Sequence, residues 1–190
     1  MPLERRHDMH PSTNFFALFV AIISSVLMLT LAFDVRSDRV DHKPLSDAGI
    51  GIKELDRQLA CMTENIYWEA ASEPAEGKIA VAQIVMNRVE SPDFPNDPCS
   101  VIYQKDIFYS RVVCQFSWFC MPGFTDRKIN QAMWQESQLA AKKVMLEGFR
   151  LPSLEGALYY HADYVNPQWR LDRITQIGRH IFYQPRDQQI

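Results

Sequence analysis

The sequence predicts an α+β domain, mainly helical with one small antiparallel β-hairpin, set behind an N-terminal transmembrane helix. Three observations carry that expectation. An uncharged apolar run lies near the start, two stretches with helical spacing of apolar residues meet at Pro74, and short apolar runs take over beyond Pro152.

The run Phe15–Phe33 holds no charged residue and only three hydroxyl side chains. As a helix it reaches about 30 Å, the thickness of a bilayer's hydrocarbon core, whereas the apolar part of a cleavable signal is about 7–15 residues. A signal anchor is therefore expected over 15–33, with a cytoplasmic tail at 1–14, a polar linker marked by Pro44 and Gly49 at 34–51, and the folded domain at 52–190. Thr30-Leu31-Ala32 still fits a small-x-small cleavage site, which keeps a cleaved signal open. Basic residues on both flanks, Arg5 and Arg6 before and Arg36, Arg39 and Lys43 after, leave the orientation undecided.

Composition narrows the partners. A net charge of -3 without a Lys/Arg run gives no attraction for nucleic acid, which is excluded as a partner. Four cysteines in an exported chain allow two disulfides, and the short Cys114–Cys120 spacing makes that pair the first choice, with reduced thiols as the alternative.

Within the domain, Leu55, Leu59, Met62 and Ile66 recur at helical spacing and predict a helix from about Lys53 to Ala71. Pro74 disfavours helical geometry at Glu73 and suits the first turn of a second helix, which turns Ile79, Ala82, Val85 and Val89 inward and ends before Ser91-Pro92. From Asp93 to Gly123, prolines, aromatics and cysteines predict an irregular, cleft-forming region with at most short helices. Asp126 is the expected N-cap of a third helix carrying Ile129, Met133, Ala140 and Val144 on one face, stopped near Gly148. The runs Ala157–His161 and Ile174–Tyr183 then suggest the hairpin.

One carboxylate stands out. Glu69 follows Ile66 by three positions and so lies near the apolar stripe of the first helix, where partial burial raises a carboxyl pKa toward the range a general acid needs. Trp68 beside it offers an apolar wall and a surface for a sugar ring. Glu73, four residues on, is a possible second carboxylate. Glycosidases with two carboxylates hold them about 5–5.5 Å or about 6.5–9.5 Å apart, and adjacent helical turns meet neither spacing reliably. A solvated helix-end charge remains the plain alternative for Glu69 on pattern alone.

The segment Asn65–Val89 (NIYWEAASEPAEGKIAVAQIVMNRV) closely resembles the signature of the SleB/CwlJ cell-wall hydrolases. Val113–Cys120 (VCQFSWFC) resembles that family's Gln-Phe-Ser-Trp block. Tyr159–Trp169 and Ile177–Tyr183 resemble its C-terminal His, Pro-x-Trp and Gly-x-His-x-Phe-Tyr features. The resemblance covers the chain from about Leu59 to Tyr183 and implies a lysozyme-like catalytic core acting on peptidoglycan glycan strands. In that reading the enzyme is a lytic transglycosylase with Glu69 as its one essential acid, held at the inner membrane with the domain facing the periplasm or cell wall. Such a mechanism needs no second carboxylate, because the muramyl sugar's own 6-hydroxyl replaces water. The chain departs from the pattern at Ala71-Ser72, where many relatives carry Arg-Gly. That departure prompts the alternative of a non-catalytic wall-binding protein.

The remaining candidates line the expected cleft: Gln115, Phe116, Ser117 and Trp118 from the irregular region, and Tyr160, His161 and His180 from the C-terminal runs. For Phe116 and Trp118, core packing competes with sugar contact. Cys114 with a histidine would suit a thiol peptidase, and His161, His180 and Asp163 a zinc amidase. No His-Glu-x-x-His or paired Cys-x-x-Cys spacing supports either, so no metal or cofactor is expected. Asn87-Arg88 fits helix-end chemistry or substrate positioning.

Overall fold

One helix, buried around most of its circumference, separates a helical layer from a three-stranded sheet. The computed structural model describes residues 51–186, and of Phe108 only the backbone. The expected tail, transmembrane segment and most of the linker lie outside the described residues. No described helix is long and apolar enough to cross a membrane.

Helix α1 (Ile52–Ala70) and the short α3 (Pro98–Ile102) are joined by the Cys61–Cys99 disulfide. Closing a loop of 38 residues in the unfolded chain is worth on the order of 4 kcal/mol on a chain-entropy account. Gln58 seals the same junction, donating to Asp97 Oδ1 at 3.0 Å and accepting from the Cys99 amide at 2.8 Å.

Helix α2 (Ala75–Glu90) is buried from Gly77 to Met86. Its Ile79, Ala82, Val85 and Met86 join Met62 and Ile66 of α1 in one core. On its other side, Ala80 and Ile84 pack with Leu154, Ala157, Ile177 and Phe182 in a second core. The single inward face expected for this helix is therefore two faces, as its weak apolar periodicity between Ile79 and Met86 requires.

The third long helix, α5 (Gln131–Met145), begins later than expected. Asn130, not Asp126, is its N-cap and accepts from the Met133 amide at 3.2 Å, which leaves Ile129 outside the helix. Ala140 and Val144 are buried against α1 and α2 as foreseen.

Two corrections concern strands. The region 93–123 holds, besides α3 and the single turn α4 (Ser117–Cys120), an antiparallel pair: β1 (Lys105–Phe108) and β2 (Arg111–Cys114). Their turn places Tyr109 and Ser110 at φ 47° and 66°, the left-handed region usually reserved for Gly or Asn, so it carries no ordinary turn signature. The C-terminal element is a three-stranded sheet in the order β3-β5-β4 instead of a hairpin, with β3 at Tyr159–Ala162, β4 at Asp172–Ile177 and β5 at His180–Gln184. The expected single run Ile174–Tyr183 folds back at Gly178.

Gly178 has φ 57°, and a Cβ there would overlap Oε2 of Glu73. Glu73 itself is buried and accepts from the Arg179 amide at 3.0 Å, which ties the α1–α2 corner to the β4–β5 turn. Gly178→Ala should therefore destabilise the fold by about 1–3 kcal/mol, through left-handed strain and the collision with Glu73. Denaturant unfolding of the two proteins checks this, and equal midpoints and slopes would show that the latch is loose.

Candidate active site

The apolar spacing of α1 that buries Met62 and Ile66 carries Glu69 to the inner side of its last turn, where the residue as a whole is half-buried and its carboxyl is turned away from solvent. Aromatic rings flank this turn. Tyr67 contacts Trp68 at 4.8 Å and Trp134 at 5.4 Å between centroids, and Trp68 contacts Phe124 at 5.3 Å. Trp68 thus stands beside Glu69 within an aromatic wall.

From the sheet side, Tyr160 of β3 donates its hydroxyl to Glu69 Oε2 at 3.0 Å. This contact follows from strand alternation: Tyr160 pairs with Phe182 in register and faces α2, while Tyr159 and His161 face away. His180 shares the inner face and meets the Tyr160 ring edge-on at 5.0 Å. Burial holds the His180 pKa below the ordinary histidine value against the pull of Glu73 and Asp163, so its ring is uncharged at neutral pH. Its Nδ1 has no hydrogen-bond partner among the described residues.

The height of β3 is set by polar side chains of α2. Gln83 donates to the Leu151 carbonyl at 3.1 Å and accepts from the Leu151 amide at 2.6 Å. Asn87 donates to the carbonyls of Leu154 and Ala157 at 2.9 and 2.8 Å, and Arg88 Nε donates to Leu158 at 2.9 Å. Asn87-Arg88 therefore clamps the backbone leading into Tyr160, a role that neither sequence alternative included.

Arg88 is also the cation of the site. It lies 5.4 Å from the ring centroids of both Phe94 and Phe116. With its amide oxygen oriented by the donors around it, Gln115 accepts from both terminal guanidinium nitrogens at 3.1 Å. Desolvation raises the Glu69 pKa above the ordinary carboxyl value, and the Tyr160 hydrogen bond and the Arg88 charge oppose it. Burial, reinforced by the adjacent Glu69 charge, pushes the Tyr160 phenol well up, so it stays a donor. The arrangement can hold a carboxyl in its neutral form and receive the carboxylate once the proton has left.

The structure brings Glu69, Tyr160 and His180 together, with Gln115 reaching them through Arg88, whereas Trp68 is the neighbour of Glu69 in α1 with its ring packed against Tyr67 and Phe124. Other candidates fall elsewhere. Phe116 and Trp118, 3% and 2% exposed, are core side chains instead of cleft faces, and Trp118 Nε1 donates to Asn65 Oδ1 at 3.0 Å. Ser117 is exposed at the start of α4. His161 lies on the outer face, bonded to the Ala162 carbonyl at 2.8 Å and to the Tyr183 hydroxyl at 2.9 Å. A carbonyl only accepts, so Nδ1 carries a proton, and in the neutral ring Nε2 receives the Tyr183 hydroxyl. Glu73 is committed to its backbone latch. Cys114 is in a disulfide with Cys120, which removes it as a thiol nucleophile. Among the described residues no group of three His, Cys, Asp or Glu side chains is placed to hold a metal. Two grooves, one beside β2 and one between α2 and α5, both lie away from Glu69.

The model of the Cell Wall Hydrolase family matches residues 72–183. The spore cortex-lytic enzyme of Bacillus subtilis is 29% identical over 131 residues, covering 67% of this chain and 37% of that protein. The spore cortex-lytic enzyme of Oceanobacillus iheyensis is 31% identical over 136 residues, covering 70% and 42%. The chain thus spans about two fifths of the length of these relatives. Among solved structures, the catalytic domain of the Bacillus cereus SleB protein matches with a TM-score of 0.47 at 26% identity, covering 68% of this chain and 91% of that one. The catalytic domain of the germination-specific lytic transglycosylase SleB from Bacillus anthracis matches with a TM-score of 0.49 at 26% identity, covering 72% and 98%.

A raised carboxyl pKa has a thermodynamic sign. The unfolded chain ionises Glu69 in the ordinary range while the folded chain resists, so stability is fullest below that range and declines as pH rises through the folded pKa. Glu69→Gln should accordingly raise the melting temperature at pH 7, with the gain vanishing under acid conditions where both states are protonated. Calorimetry at the two pH values checks it; an unchanged or lower melting temperature at pH 7 would mean that the carboxyl is well solvated.

Proposed function

This chain belongs to the cell wall hydrolase family, and from that premise we propose that it cleaves the peptidoglycan glycan strand between N-acetylmuramic acid and N-acetylglucosamine, with Glu69 as the only general acid and base. The observation that carries this reading is the desolvated carboxyl of Glu69 held by the Tyr160 hydroxyl. The family match opens at Ser72, three residues beyond Glu69, so the role of Glu69 rests on this geometry and on its sequence context.

Burial favours the protonated acid before the sugar arrives. Glu69 gives its proton to the glycosidic oxygen as the bond to the muramyl C1 breaks. The carboxylate that forms is met by the Tyr160 hydroxyl and by the Arg88 charge, both already in place and requiring no reorganisation. It then takes the proton of the muramyl 6-hydroxyl, whose oxygen closes on C1 to give an anhydro sugar. Glu69 ends protonated, and no water is consumed. Trp68, beside the acid, supplies a face for the ring of a bound sugar. On the same reading residues 15–33 tether the protein to the cytoplasmic membrane and residues 52–190 work on the side where peptidoglycan lies.

Digestion of sacculi by the purified chain should release fragments whose muramyl ends are lighter by one water than hydrolytic ends, as read by mass spectrometry. Free stem peptides over intact glycan would replace this reading with an amidase or endopeptidase. Glu69→Gln should lower the rate by at least about a hundredfold, the contribution expected of a positioned acid and base. Tyr160→Phe should slow the reaction about tenfold through loss of a hydrogen bond to the charged form. It should also move the alkaline limb of the rate profile to higher pH, since that bond holds the acid's pKa down. A limb displaced to lower pH would contradict the assigned role of Tyr160.

A further inference from the structure

The β1–β2 hairpin is unlike the rest of the surface. It is a sheet of two strands only, joined to no other described strand. Such a pair is marginal by itself. Here the Cys114–Cys120 disulfide, the Gln115 amide bonded to the Gln104 carbonyl at 3.0 Å and Lys105 Nζ above the Phe119 ring fasten its base. Beyond that base its apolar side chains stand in water. Ile107 is 77% exposed and its cross-strand partner Val112 58%, while Tyr109 at the tip is fully exposed. Val112 and Val113, with Met121 and Pro122, line a shallow groove of about 350 Å³ beside the disulfide. A fastened hairpin tipped with apolar residues in a strained turn is a surface built to meet something.

Charge indicates what it meets. On the hairpin itself Lys105 and Arg111 stand against Asp106, a net charge of +1 within a protein of -3. Arg111 beside a tyrosine-tipped apolar projection, with Lys105 at its base, matches the interface of an anionic bilayer, where Tyr sits at headgroup depth and basic residues face the phosphates. Four residues per strand give the hairpin a length of about 14 Å, enough to seat its tip about 5–10 Å into the headgroup boundary. The length of chain before the domain fits the same partner. Asp34 to Gly51, eighteen residues after the apolar run, can extend to about 60 Å. The hairpin base is pinned near Glu64 of α1 by Tyr103, whose hydroxyl donates to Glu64 at 2.6 Å, about 20 Å along the helix from Gly51. A bilayer holding residues 15–33 is within reach of the tip.

We propose that the β1–β2 hairpin is a membrane-docking element whose apolar tip enters the headgroup layer of an anionic phospholipid bilayer. The inference concerns where the domain is held and does not depend on which peptidoglycan bond is cut. The full chain is placed in vesicles of phosphatidylcholine and phosphatidylglycerol with brominated acyl chains, as the parent and as Tyr109→Trp. The added tryptophan should emit at shorter wavelength than in water and be quenched by bromine. Both effects should be lost in vesicles of phosphatidylcholine alone and in a chain that also carries Ile107→Asp and Val112→Asp. An unquenched tip overturns the proposal, and protection of the tip from aqueous acrylamide by sacculi instead of vesicles assigns the hairpin to glycan. The Ile107→Asp, Val112→Asp chain should digest soluble glycan fragments at the parental rate. A loss there places the hairpin in the substrate cleft and overturns membrane docking, whereas inactivity of the parent would count against the proposed reaction alone.

Discussion

A helix buried on nearly all sides has to satisfy its polar side chains from within the fold, and α2 does so with the backbone of Leu151–Leu158. Gln83 and Asn87 occupy one stripe at helical spacing with Arg88 at its side, and together they bond the Leu151 amide and carbonyl and the carbonyls of Leu154, Ala157 and Leu158. Each would be costly to leave unpaired at that depth. The arrangement therefore fixes how far the following strand stands from α2. Two residues past Leu158, Tyr160 emerges at the height of Glu69.

The proposed chemistry depends on a balance at that contact. Desolvation favours the neutral acid; the Tyr160 hydroxyl and the Arg88 guanidinium favour the carboxylate, and desolvation is the largest of the three. An acid left without the two opposing groups would hold its proton too tightly to release it. One fully solvated would be ionised before any substrate arrived. Arg88 is kept cationic in spite of its burial by carbonyl and amide acceptors and by flanking rings, so its charge is available with no salt-bridge partner quenching it among the described residues. Gln115 and Phe116 consequently act through Arg88, which gives part of the Gln-Phe-Ser-Trp block a role in positioning a charge and the rest, through Trp118, a role in the core.

The long helices were legible because local spacing determines them: the apolar residues of α1 point one way, and Glu69 is nominated by standing three positions after Ile66. The partner of Glu69 was legible only as an aromatic facing the cleft, since strand alternation separates Tyr160 from His161 but does not say which of the two faces inward. Long-range constraints escaped. Arg88 is reached through a carbonyl 70 positions away, and only the break it makes in an apolar helix beside Asn87, itself in line with Gln83, hinted at a buried task. The β1–β2 pair was hidden because Tyr109-Ser110 lacks the Asn-Gly chemistry by which tight turns are recognised. The start of α5 was misplaced for a related reason: Asp126 and Asn130 are both competent caps, and the choice falls to Asn130, whose amide also donates to the Tyr67 hydroxyl at 2.8 Å.

The central claim, a carboxyl kept neutral by its surroundings, can be read on the group itself. Carbon-13 labelling of glutamate side chains, with the Glu69 signal assigned by its absence from Glu69→Gln, gives the ionisation curve of this residue by NMR. The account expects a midpoint clearly above that of ordinary glutamates in the same spectrum; a midpoint at or below theirs would contradict it.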